Sequence, residues 1–243
     1  MKVHGREVVF KALSGSVNRN LNDNKSDRDI KLFVLPTFDD LYNGVIYKNF
    51  TTSDAEDIEI HDVRKLEKLL FNSNLTFLEL LFSVEIDTYD YKEINQIIGM
   101  RDDLARINLR NLYNSCYGMY HGQMKDLLKP NSDKQQEIID KFGYNTKKAM
   151  MSLHFLKFIS KFYSTDFNDF SSSIVYQGEE REFMLNVKHG GLAYNQFIDL
   201  TKDVEAETKL IEDAYMSQKV NQETNNKLQR LLRSLIKNNI DLV

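Results

Sequence analysis

Gly15-Ser16, a gap of about ten residues, and then Ser26-Asp27-Arg28-Asp29 running into Ile30-Lys31-Leu32-Phe33-Val34-Leu35 constrain this chain more than any other stretch. In a strand, residues i and i+2 share a face, so Asp27 and Asp29 point together while Arg28 points away. Two carboxylates on one face offer the hard oxygen donors that suit Mg²⁺, which takes one or two protein carboxylates and completes its shell with water and phosphate. A Gly-Ser turn just before them lets backbone N–H groups approach a triphosphate without an intervening Cβ. Together these features describe a site for metal-dependent nucleotidyl transfer. The candidate metal ligands are Asp27 and Asp29, and the candidate phosphate contacts are Gly15 and Ser16.

A second acidic strand follows. In Asp57-Ile58-Glu59-Ile60 the acids alternate with apolar residues, as in a half-buried strand. Asp57 and Glu59 share one face, and either can be the third carboxylate that supports the metal pair or takes the nucleophile's proton. Position in the motif favours Asp57, and reach and the acid-then-apolar alternation favour Glu59. Helical periodicity takes over at Val63, with Val63, Leu66, Leu69 and Leu70 on one stripe and Arg64, Lys65 and Lys68 on the other.

The order and spacing of these motifs resemble the nucleotidyltransferases of the DNA polymerase beta superfamily, in particular the RNA-repair-associated branch met in bacteria and phages. Asp57 to Leu66 is similar to that branch's second strand and Arg-Lys helix, and Asn74 to Phe82 to its next helix. Gly143-Tyr144-Asn145-Thr146-Lys147-Lys148 resembles its Gly-Tyr-Asp-Thr-Lys helix start, and Val187 to Gly190 and Glu205 to Glu207 fall where its late motifs do. The chain departs from the pattern at Arg19-Asn20, where the family carries Tyr-Gly, at Leu75, where it carries Pro, and at Asn145, Lys148 and Met151.

The resemblance implies an α+β fold: a polymerase-beta-like nucleotidyltransferase core, a small mixed sheet flanked by helices, over residues 1–100. A helical domain over 101–243 would close the cleft. It also implies transfer of NMP from an NTP such as ATP to a hydroxyl acceptor, with Mg²⁺ or Mn²⁺ as cofactor and an RNA end, such as that of a tRNA, as acceptor. Asp27, Asp29, Asp57 and Glu59 would be catalytic, and Gly15, Ser16, Ser26, Arg64, Lys65, Lys147 and Lys148 would bind nucleotide. The departures keep two alternatives open: a catalytically weakened nucleotide- or RNA-binding module, and a nucleotidyltransferase that modifies a protein.

Composition narrows the remaining classes. Of 243 residues, 42% are hydrophobic and 28% charged, which is the balance of an ordinary globular chain rather than a disordered one. The single cysteine, Cys116, rules out an internal disulfide and reads as a buried apolar thiol. The five histidines lack zinc spacing, and no Walker, Rossmann or His-Glu-x-x-His motif occurs. No apolar run approaches 18 residues, so the expected location is the cytoplasm. The formal charge of −4 argues against a generally polyanion-binding surface, but eight lysines against four acids between His121 and Lys161 form a local excess.

The second half has helical periodicity. Leu104 to Leu128 reads as one long helix, Glu137 to Phe142 as another ending at Gly143, and Asn145 or Thr146 as the cap of a helix with a Met and aromatic stripe. The polar run Asn221 to Asn226 reads as an interruption in the final helices.

Overall fold

The computed structural model describes residues 1–24, 26–53 and 56–240; within the polar stretch from Thr51 to Glu56, positions 54 and 55 lie outside them. The fold is mixed α+β. The strands are β1 (Lys2–Val3), β2 (Arg6–Ser14), β3 (Arg28–Val34), β4 (Lys48–Thr52), β5 (Glu56–Asp62) and β6 (Ile86–Asp87). The helices of the first half are α1 (Gly15–Asn18), α2 (Phe38–Tyr42), α3 (Arg64–Phe71), α4 (Leu75–Leu78), α5 (Lys92–Gly99) and α6 (Arg101–Ala105), with a 3-10 turn at Glu79–Phe82. The second half holds α7 (Leu109–Lys125), α8 (Asp133–Phe142), α9 (Thr146–Ser164), α10 (Phe170–Ile174), α11 (Gly178–Lys188), α12 (Tyr194–Lys209), α13 (Glu212–Met216) and α14 (Gln222–Asn239).

The chain forms two compact units, Met1–Asn108 with Val220–Val243, and Leu109–Lys219. In the first, the sheet order is β1-β2-β3-β5-β4, with β6 also paired to β2. β3 and β5 run parallel and the other pairs antiparallel. Alternation along β3 sends Ile30, Leu32 and Val34 to one face, where they pack with Val8, Leu13 and Ile60. The opposite face carries the acids. Beyond β3, Thr37 caps α2 reciprocally with Asp40, each side chain bonding the other's backbone N–H. Arg6 meets the Asp40 carboxylate with two hydrogen bonds, of 2.8 and 2.6 Å.

The helix expected from Leu104 to Leu128 is divided into α6 and α7. Asn108 stands at the break, accepting a 3.0 Å bond from Ser73 Oγ on its carbonyl and donating from Nδ2 to Phe71 O at 3.4 Å. These tertiary bonds anchor the backbone where a periodic pattern alone continues the helix. The run from Asn221 to Asn226 does not interrupt a helix but starts one: the Asn221 side chain accepts from Thr224 N at 3.0 Å and caps α14. α14 packs on α3, α5 and α6, burying Leu228, Leu232 and Leu235.

The second unit is built around α9. Apolar residues surround this helix on nearly all sides, from Ala149 and Met150 to Phe158, Ile159 and Phe162, so it can only be stable as a central element. Helices α7, α8, α10, α11 and α12 cover it. Asn145 is its cap, accepting from Lys148 N at 3.1 Å, and Cys116 is buried on α7. Among the described residues no helix is long and apolar enough to cross a membrane.

Candidate active site

The acid-bearing face of the sheet is ordered by strand register. Ser14 pairs with Asp29, Asp29 with Asp57, and Asp57 with Thr52, forming one row across β2, β3, β5 and β4. The next row holds Ala12, Lys31, Glu59 and Phe50, and the third holds Phe10, Phe33, His61 and Lys48. Directly paired residues point to the same side of a sheet, so each row is also a line of neighbouring side chains.

The third row closes the face with aromatic packing. Phe33 stacks on Phe10 and on His61, with centroids 5.6 and 5.4 Å apart, and Phe77 of α4 packs edge-on against Phe33 and His61. His61 is buried. Its Nε2 lies 3.3 Å from Glu59 Oε1 but out of line for a hydrogen bond, so neither ring nitrogen is bonded among the described residues. Burial pushes its pKa down, and the neighbouring Glu59 carboxylate pulls it partly back up.

The middle row is an ion cluster. The Lys31 ammonium bonds the Glu59 carboxylate directly, and Lys48 Nζ lies 3.2 Å from its other oxygen. Burial pushes the Glu59 pKa up, but the Lys31 hydrogen bond and charge, with His61 and Lys48, overcome it and hold the carboxyl down to about 2.

The first row differs. Among the described residues the Asp29 side chain receives no hydrogen bond and makes no ion pair. Burial raises its pKa, the Asp57 and Asp27 charges add to the rise, and Lys31 and Arg19 oppose it. Asp57 accepts a hydrogen bond from the Thr52 hydroxyl. Asp27 lies exposed just ahead of β3, and Arg28 points away to Glu85 and Glu56. The Ser26 hydroxyl closes the turn before Asp27 by accepting from Asp23 N at 2.9 Å and donating to Asp23 Oδ1 at 3.2 Å.

Gly15 stands against this row. Its φ is +74°, and a Cβ built there would run into the Asp29 carboxylate. Both the backbone conformation and the space demand glycine. Ser16 follows it in α1, and its hydroxyl has no partner among the described residues. The turn is fixed from beneath by a buried pair. Arg19 bonds both carboxylate oxygens of Glu79 at 3.0 and 2.6 Å, and Asn18 bridges Glu79 O and Val84 N. Arg19 occupies a place where the resemblance leads one to expect Tyr, and its charge is taken up by Glu79.

The remaining sequence candidates are spread more widely. Arg64 is committed to Asp62, with Nε at 2.9 and 3.1 Å from the carboxylate, and to Val45 O. Lys65 is half-buried on α3 and has no hydrogen bond or ion pair among the described residues. Lys147 and Lys148 belong to the first turn of α9, in the second unit. Lys147 is exposed, and Lys148 Nζ reaches Asp126 O at 3.3 Å and the Asp126 carboxylate at 3.7 Å.

Reading the sequence alone misses Lys31, Thr52 and Phe50 on this face. Lys31 carries a signal, being two residues beyond Asp29 and so on its side of the strand. The two β4 residues do not, because their neighbours are set by hairpin register.

A carboxylate held on a rigid strand, without a hydrogen bond and crowded by like charge, suits a hard divalent cation, and Asp29 is one, whereas Asp27 lies just ahead of the strand and Asp57 accepts from Thr52. Asp27 and Asp29 could supply such donors, with Asp57 alongside. Among the described residues no three His, Cys, Asp or Glu side chains are gathered into a ready-made metal cluster. The arrangement therefore offers one or two protein carboxylates and leaves the rest of a cation's shell to water and phosphate.

The family model RlaP, described as the RNA repair pathway DNA polymerase beta family, matches residues 1–236. No curated protein matches the chain.

Proposed function

The chain belongs to the RNA repair pathway DNA polymerase beta family, and from that premise we propose that it transfers a nucleoside monophosphate from an NTP to a hydroxyl at an RNA end, releasing pyrophosphate. The observation that carries this reading is the first row of the acid face: Asp29 beside Asp57 and against the Gly15 turn.

In the reaction, the acceptor hydroxyl oxygen bonds to the α-phosphorus as the bond from that phosphorus to the β-bridging oxygen breaks. The electron pair leaves with pyrophosphate. Backbone N–H groups of the Gly15-Ser16 turn and the Ser16 hydroxyl hold the triphosphate. Asp57 stands on the far side of Asp29 from that turn and takes the hydroxyl proton. We assign this role to Asp57 rather than Glu59 because the Glu59 carboxylate is already neutralised by Lys31 and Lys48 and is held near 2, far from a base suited to neutral pH. Asp27 and Asp29 would hold Mg²⁺ or Mn²⁺, which when bound neutralises phosphate charge and lowers the barrier to nucleophile activation. Lys65 and Lys147 are candidate anion contacts, whereas Arg64 and Lys148 serve structure first.

Incubating the protein with labelled NTPs, Mg²⁺ or Mn²⁺ and total RNA tests the reading, with label expected in RNA. Label in RNA that survives Asp29→Asn and Asp57→Asn undiminished would overturn it. A second reading, an RNA- or nucleotide-binding module with weakened chemistry, draws on the departures from the family pattern at Arg19-Asn20, Asn145, Lys148 and Met151. It predicts RNA retention without transfer under any of these conditions. Label confined to protein bands would point instead to protein modification.

A further inference from the structure

We infer that Phe50 is the platform on which the terminal base of the RNA acceptor stacks. The inference rests on the transfer reaction proposed above and adds where its second substrate lies.

Phe50 is 58% exposed on the edge strand β4. Single exposed apolar residues are ordinary, but this one differs in its neighbours. Register pairs it with Glu59, so its ring shares the face that carries Asp29 and Asp57. Thr52, two residues on, pairs with Asp57 and bonds its carboxylate, while Lys48, two residues back, pairs with His61 and contacts Glu59. The ring is thus an open apolar surface set among charged groups, beside the candidate proton acceptor.

Its side of the sheet decides which nucleoside it would meet. Gly15 and Ser16 follow directly on Ser14, which pairs with Asp29 from β2. Across the sheet the order is therefore phosphate turn, Asp29, Asp57, then β4. Phosphoryl transfer places the attacking and leaving oxygens roughly in line on opposite sides of the phosphorus. With the leaving pyrophosphate at the turn, the attacking hydroxyl and its base fall toward β5 and β4. Strands lie about 4.8 Å apart, so β4 is roughly 10 Å from the strand of Asp29, a distance one nucleotide can span. Stacking on an aromatic ring accepts any base, which suits an acceptor recognised by its end rather than by its sequence.

The test uses the full chain and a short single-stranded RNA with 2-aminopurine as its 3′-terminal base, a probe whose fluorescence falls on stacking. Wild type should quench the terminal probe more than the same probe placed internally. Phe50→Ala and Phe50→Leu should lose the quench and bind the RNA roughly tenfold more weakly, and Phe50→Trp should restore both. In steady state, Phe50→Ala should raise KM for RNA while leaving kcat and KM for NTP near wild type. Unchanged melting temperatures would verify that these exposed-site variants are folded.

Quenching by Phe50→Ala equal to wild type would overturn the inference, as would a raised KM for NTP alone, which would assign the ring to the donor base. Label carried by a protein acceptor, without any quench, would overturn it too. Phe50-dependent quenching without nucleotide transfer by wild type would sink the transfer reading while leaving the stacking surface standing.

Discussion

Two pairs of residues lie one step apart along β3 and β5 and fare in opposite ways. Lys31 and Glu59 face each other and neutralise each other, with Lys48 completing the cluster. Asp29 and Asp57 also face each other, but both are acids, and burial and mutual repulsion raise the Asp29 pKa. A fold selected for stability alone has no reason to keep the second pair while the first is so well compensated. An uncompensated charge on a rigid element is what a site looks like when its missing partner is a ligand. On the proposed function, the middle row is the structural floor of the face and the first row its chemistry.

The sharpest way to break this comparison is to exchange the readouts of the two rows. Asp57→Asn should reduce nucleotide transfer by about a factor of 100 or more, the usual contribution of a general base, and Asp29→Asn should remove most activity. Neither should destabilise the metal-free protein. Because the folded Asp29 carboxyl has a raised pKa, the folded state binds more protons, and its stability falls as pH rises through that range. Asp29→Asn should therefore melt at the same temperature as wild type or higher at pH 7 without metal. A clear fall in melting temperature would show that Asp29 is a structural acid.

Glu59→Gln should do the reverse, costing about 2 kcal/mol of stability by weakening charge-assisted hydrogen bonds around Lys31, with a much smaller effect on transfer. The folded Glu59 carboxyl is held to about 2 against an ordinary value of 4.5. Its contribution is present above about pH 4.5 and is lost as pH falls toward 2. Chemical denaturation of both proteins across this window should show the difference between them shrinking with acid. Replacing both members of the pair, Lys31→Met with Glu59→Leu, should be milder than Glu59→Gln, since the charge then left without its partner, on Lys48, is exposed to solvent. A large loss of activity with unchanged stability in Glu59→Gln would move the proton-acceptor role from Asp57 to Glu59.

Gly15→Ala tests the seam between turn and strand. The left-handed backbone alone costs roughly 1–2 kcal/mol for a residue with a Cβ, and the new methyl must displace the Asp29 carboxylate. Stability and transfer should fall together, and Gly15→Ser should behave alike. The smallest effect expected is that of Thr52→Val, which removes the hydroxyl bonded to Asp57 and should lower kcat a few-fold with an unchanged melting temperature. Equal kcat would leave Thr52 a spectator.

Much of this site is legible in the amino-acid order itself. The apolar run after Asp29 and the alternation Asp57-Ile58-Glu59-Ile60 are local patterns, and local geometry reads them directly, whereas the expected strand pairing of Asp27 with Asp29 falls short because β3 begins only at Arg28. Whether Asp57 or Glu59 neighbours Asp29 is different in kind. It depends on the register between two parallel strands far apart in the chain, which no short-range pattern fixes. The same limit hides the Lys31 partnership of Glu59 and the placement of Phe50. Elsewhere it is polar residues that mislead. The run at Asn221 has the composition of a helix breaker but caps a helix, and the break at Asn108 follows from bonds to Ser73 and Phe71, far away in sequence.

The return of α14 to the first unit sets the order in which a growing polypeptide can mature. Residues 109–219 form a contiguous unit that can pack as soon as it is made, whereas the acid-bearing unit needs α14, which is synthesised afterwards. Until Leu228, Leu232 and Leu235 arrive, α3 and α5 lack the apolar cover that α14 gives them. The unit that bears the acid face is thus the last of the two to be completed.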